Sequence, residues 1–229
     1  MYKPSFDTDS NMVPILSREQ IEQMAVEILS DYNADLLTKP QPLDVDRFLE
    51  QYLGVNIDYQ FLTHCGVYLG MTVFNSSDKV PVYNPELDCA EYISCKGRTV
   101  ILDNRLLKDN QEHRYAFTGT HEGAHVIIHP EYYEFKQYRT QKGPSIVQCY
   151  SDERRYGRQP RTEKDWIEWQ ADTLAACLLM PKPAVMCAVR RAKFKSCSVN
   201  YAREAIYGEF NVSFAAAAHR YDDLHLDKI

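Results

Sequence analysis

Apolar positions follow helical spacing at both ends of the chain and strand-like alternation in between. Ile21, Met24, Ile28 and Leu29 form one stripe, and Ser17 with Gln20 fits a capping box, so the pattern predicts a helix opening at Ser17. Pro40 and Pro42 interrupt the chain. Val45, Phe48, Leu49 and Tyr52 then line a short second helix, which Gly54 is placed to end. Val55, Ile57, Tyr59 and Phe61 alternate with polar residues and predict a half-buried strand. Residues 67–74 and 99–102 read as further strands, and 80–83 as an edge strand because of Pro81. The stretches between them read as polar and turn-rich.

From Gln111 the spacing is helical through His129, with Pro130 as its stop. Residues 131–161 are rich in Tyr, Arg and Gly without periodicity and read as a long loop. Thr162 with Asp165 is a second capping box, opening a helix that runs to Met180 before Pro181. Helices over roughly 184–195, 200–209 and 212–224 complete the pattern. The expected class is α+β. Residues 1–16 read as a flexible arm, 17–182 as the main unit and 183–229 as a small helical part, divided at Pro181 and Pro183.

Composition narrows this picture only a little. The chain has 229 residues, 45% hydrophobic and 25% charged, which excludes a disordered or fibrous protein. A net charge of −6 argues against a surface that tracks nucleic acid. The 7 cysteines are odd in number with no C-x-x-C pair, unlike a disulfide framework or a cysteine zinc ribbon. The N-terminus lacks the apolar stretch of a signal peptide, and the longest apolar run, Leu174 to Met180, is too short to span a bilayer. The expectation is a cytoplasmic protein with no membrane partner.

Chemistry enters at His121-Glu122-Gly123-Ala124-His125, an H-E-x-x-H pattern. Residues four apart share a helix face, so both imidazoles can reach one metal, with Glu122 beside them as general base for a metal-activated water. Phe117, Ala124, Val126 and Ile127 predict that this helix is partly buried, and burying two histidines and a glutamate is costly without a partner. On the later helix, Glu168 can supply a third ligand and leave the fourth position open. Asp172, one turn on, can accept a hydrogen bond from a ligating imidazole. His129 continues the spacing of four and competes as third ligand. His64, His113, His219 and His225 read as surface or satisfied histidines.

Together the two helices resemble the ImmA/IrrE family of metallopeptidases. The likeness rests on Phe117-Thr-Gly-Thr-His121-Glu-Gly-Ala-His125 and on Glu168-Trp-Gln-Ala171-Asp172-Thr-Leu-Ala175, continuing to Leu178-Leu179-Met180-Pro181. Pro42-Leu-Asp-Val-Asp before Gly54-Val55, and Phe210-Asn-Val-Ser213 with Arg220, extend it over about residues 18–224. The resemblance implies a zincin-like fold with a small mixed sheet packed on the H-E-x-x-H helix. It implies His121, His125 and Glu168 as ligands of zinc, with manganese as the alternative metal, and Glu122 as general base. The implied substrate is a helix-turn-helix transcriptional repressor, as in phage, mobile-element or stress regulons. The family usually has Leu-Gly where this chain has Gly123-Ala124, and the span from His125 to Glu168 is long. Tyr132, Tyr133, Tyr150 and Tyr156 are candidates for the residue that stabilises an oxyanion.

Two other classes compete: a metal-binding but inactive interaction or sensor module, and a helix-turn-helix DNA binder using the C-terminal helices. Arg154, Arg155, Arg158, Arg161 and Lys164 form a basic run that reads as a solvated loop or as a docking surface for a protein substrate. Arg190, Arg191, Lys193 and Lys195 read as a solvated helix face, with direct nucleic-acid contact the lesser alternative.

Overall fold

The computed structural model describes residues 2–140, 146–150, 161–196 and 198–228. The first helix, α1 (Arg18–Asn33), opens on the expected capping box. The Ser17 hydroxyl accepts from the Gln20 amide at 3.2 Å, and the Gln20 side chain accepts from the Ser17 amide at 2.7 Å. A short α2 (Asp35–Thr38) follows, then α3 (Val45–Arg47), capped by Asp44 and continued by a π-helical turn over Phe48–Tyr52. Gly54 has φ +64°, a left-handed conformation that favours glycine and turns the chain out of this helix into the sheet.

The sheet has four strands: β1 (Asn56–Gln60), β2 (Tyr68–Val73), β5 (Thr99–Asp103) and β6 (Ile146–Tyr150), in the order β1-β5-β2-β6. It is mixed, since β1 runs parallel to β5 while β2 is antiparallel to both β5 and β6. Between β2 and β5 in sequence lies a hairpin of β3 (Ser77–Asn84) and β4 (Cys89–Cys95). The stretch expected to be turn-rich therefore contains a strand. β4 is almost wholly exposed, so it carries no apolar alternation for the sequence to show. The hairpin packs Val80 and Ile93 against Met71, Val73 and Ile101 on one sheet face.

The other face carries α4 (Glu112–Ile128), which leads directly into α5 (Pro130–Thr140). Pro130 does end the first helix, as expected, but it also begins the next. Proline suits a first helical turn because its missing N–H would find no intrahelical partner there. The reading of 131–161 as one loop is thus corrected by α5 and by β6; residues 141–145 and 151–160, with Arg154, Arg155, Arg158 and Tyr156, lie outside the described residues.

The helix α6 (Glu163–Leu179) opens on the Thr162–Asp165 capping box and packs along α4. It is followed by α7 (Lys182–Lys195), α8 (Val199–Phe210) and α9 (Phe214–Asp223). One apolar cluster runs from Leu16 through Ala124 and Leu174 to Ala188, Ile206 and Leu226. A buried polar clasp ties its ends: Arg220 donates to both carboxylate oxygens of Glu22, on α1, and through Nε to the Met180 carbonyl at 2.9 Å. Burial works to raise the Glu22 pKa, but the Arg220 bonds and charge outweigh it and hold the carboxyl below its ordinary value. No single helix among the described residues is long and apolar enough to cross a membrane.

The N-terminal segment, expected as a flexible arm, lies against this body. Val13 packs with Tyr132 and Ile167, and the Asn11 amide donates to Glu163 at 2.7 Å.

Candidate metal centre

The middle of α4 is buried on every side. Its polar residues His121, Glu122 and His125 are all 0% exposed, and Glu168, presented by α6, is 2% exposed. The α4 periodicity turns both imidazoles toward α6. Their Nε2 atoms come to 3.0 Å, and Glu168 Oε2 lies 3.7 Å from His121 Nε2. Each of the three offers one ligand atom, all within 4.8 Å of one another. Two nitrogens bound to one tetrahedral zinc lie about 3.3 Å apart. The buried group of His121, His125 and Glu168 can therefore hold a metal ion, and its donor set, two imidazoles and a carboxylate, suits a divalent transition metal.

The supports differ for the two histidines. His121 Nδ1 lies 2.8 Å from Asp172 Oδ1, one turn along α6 from Glu168. A carboxylate can only accept, so its closeness favours the tautomer with hydrogen on Nδ1, in which Nε2 presents its lone pair to the centre. His125 Nδ1 instead meets His129 Nδ1 at 2.9 Å. His129 is itself 0% exposed, and its Nε2 reaches Gln170 Oε1 at 2.9 Å. Complete burial pushes the His129 pKa down to about 3 against the opposing effect of the Gln170 bond, so the ring is neutral. The structure thus places His129 behind His125, with its ring nitrogens on His125 and Gln170 and outside the group of three. The spacing of four brought it to attention, but its partner Gln170 had no signal in the sequence.

Glu122, on the same turn of α4, also meets the sheet. Thr72 on β2 donates to Glu122 Oε2 at 2.6 Å. At the neighbouring inward position, Gly70, a Cβ would fall 2.8 Å from Glu122 Cγ and from Thr118 Cγ2, so only glycine lets the strand come this close. Neither contact was legible beforehand. Gly123 has a similar reason: a Cβ there would lie 2.8 Å from Leu49 Cδ2, so its small size serves the packing of α4 on the helix before β1.

Among the tyrosine candidates, Tyr132 is a core residue that accepts from Lys136 at 3.0 Å. Tyr133 stacks on Phe74 with ring centroids 4.6 Å apart and stands edge-on to His125 at 6.4 Å. Burial, then the charges of Glu168, Tyr132 and Glu122, raise its pKa well above the ordinary value, so it remains a hydrogen-bond donor at neutral pH. The Tyr150 side chain lies outside the described residues. His113 is satisfied by the Asn211 carbonyl at 3.0 Å. Arg161 and Lys164 are exposed, while Arg191 pairs with Glu209 and Lys193 donates to the Leu226 carbonyl at 2.6 Å.

Comparison with protein-family models and with curated proteins finds no match to the chain.

Proposed function

We propose that the chain is a metal-dependent endopeptidase of the zincin-like ImmA/IrrE type, acting on a helix-turn-helix repressor. The observation that carries this reading is the buried convergence of His121, His125 and Glu168, with Glu122 on the same turn of α4. His121, His125 and Glu168 would hold zinc, or manganese, which when bound supplies Lewis acidity and lowers the pKa of a coordinated water to about 7. Glu122 takes a proton from the attacking water and returns it to the leaving amine. The Thr72 bond fixes the rotation of the Glu122 carboxylate during that exchange. Tyr133, kept protonated by its surroundings, donates to the oxygen on which charge develops. Gly123, where the family usually has leucine, is accounted for by packing, since a Cβ there would lie 2.8 Å from Leu49 Cδ2.

The test is to incubate the zinc-loaded protein with the helix-turn-helix repressor encoded nearest its gene and to read products by mass spectrometry beside Glu122→Gln. One defined cut by the wild type, lost by at least about 100-fold in the variant, is expected. Equal cleavage by both proteins, or tight binding with no cleavage by either, would sink the peptidase reading.

A further inference from the structure

The N-terminal segment contributes to the centre through a chain of hydrogen bonds that starts at Pro14. Its carbonyl can only accept, so the Gln170 amide nitrogen, 2.6 Å away, must donate to it. That fixes which way the amide faces and presents Gln170 Oε1 to His129 Nε2 at 2.9 Å. An amide oxygen also only accepts, so His129 carries its hydrogen on Nε2. In a neutral imidazole the other nitrogen is then an acceptor. His129 Nδ1 meets His125 Nδ1 at 2.9 Å, which requires the hydrogen on His125 Nδ1 and leaves the His125 Nε2 lone pair facing His121 Nε2.

We propose that Gln170 and His129 are positioning residues that transmit the fixed orientation of the Pro14 carbonyl to His125 and hold it in its metal-binding tautomer. The proposal rests on the metal-centre reading above. On the other side of the pair, His121 has Asp172 Oδ1 2.8 Å from its Nδ1, and the two Nε2 atoms meet at 3.0 Å. The end of the relay is itself anchored. Asp9 accepts from the Val13 amide at 2.9 Å, a bridge joins Thr8 to Pro14, and Val13 is packed against Tyr132 and Ile167. His125 thereby takes its tautomer from a backbone group more than a hundred residues earlier, whereas His121 has the Asp172 carboxylate of α6 beside its Nδ1.

The test uses the full chain, uniformly labelled with nitrogen-15 and free of metal. Long-range proton–nitrogen correlation reads which ring nitrogen of each histidine carries hydrogen. Expected are His129 protonated on Nε2 only and His125 on Nδ1 only. In Gln170→Leu, His129 and His125 are expected to show mixed tautomers while His121 is unchanged. Zinc affinity, read by competition with a chromophoric chelator, is expected to fall about 10–100-fold. His129 protonated on Nδ1 in the wild type, or an affinity in Gln170→Leu within twofold of wild type, would overturn the relay. The wild-type spectrum decides the question even where Gln170→Leu does not fold. Zinc binding at one equivalent with the wrong His129 tautomer overturns the relay alone. Failure to bind zinc at all overturns the centre and the relay's role with it.

Discussion

Among the described residues two buried polar clusters lie along α6, and they are completed in different ways. Near the C-terminal end of the helix, Arg220 meets the Glu22 carboxylate and the Met180 carbonyl, so donors face acceptors throughout. Near the middle, the His121 and His125 Nε2 atoms and a Glu168 oxygen converge into a group that can hold a metal ion. Burial of polar groups is tolerable when they are paired within the chain. The clasp meets that condition from its own residues. The centre differs in that its grouped ring nitrogens and carboxylate oxygen can also hold a metal ion.

The comparison breaks most visibly if the clasp is opened. Arg220→Met leaves Glu22 in place without its partner and is expected to cost about 3–5 kcal/mol in urea unfolding of the metal-free protein. Because Glu22 is held below its ordinary value of 4.5, this contribution is present above that pH and is lost as pH falls through the lowered folded value. A loss under 1 kcal/mol at neutral pH would remove the clasp from the argument.

Glu168→Ala should behave in the opposite manner. It removes a buried acceptor from a crowded group, so the metal-free protein is expected to lose little stability. Zinc at about a thousand times its Kd should then stabilise the wild type by about 4 kcal/mol and leave the variant unmoved. An equal zinc-dependent shift in both would mean that the metal binds elsewhere.

The smallest effect sharpens the contrast from the far side of α4. In Gly123→Ala the added methyl must displace Leu49, while helix propensity improves by about 1 kcal/mol; a net loss of about 1 kcal/mol is expected, with zinc affinity retained. A rise in melting temperature would show that Leu49 yields easily.

Helices announced themselves in the sequence where side chains speak locally. The Ser17 and Thr162 capping boxes gave the starts of α1 and α6, and the spacing of His121, His125, Glu168 and Asp172 pointed to one shared centre. What was hidden depends on partners distant in sequence. β4 is exposed apart from the half-buried Ile93 and Cys95 and so shows little alternation, and α5 was obscured because Pro130 reads equally well as a stop and as a beginning. Thr72, Gly70 and Gln170 are ordinary residues until the fold sets them beside Glu122 and His129.

The Gln170–Pro14 and Arg220–Glu22 hydrogen bonds join residues 156 and 198 positions apart. Contacts of such separation form late in folding, because the loops they close are long. During synthesis the two histidines of α4 emerge well ahead of Glu168, so the growing chain first offers a metal only an open pair of imidazoles. The full set of three ligand atoms is assembled only once α6 has emerged and docked against both α4 and the N-terminal segment. An ion held by this group would thereby be loaded only in the last stages of folding, and a chain stalled before α6 would release it readily.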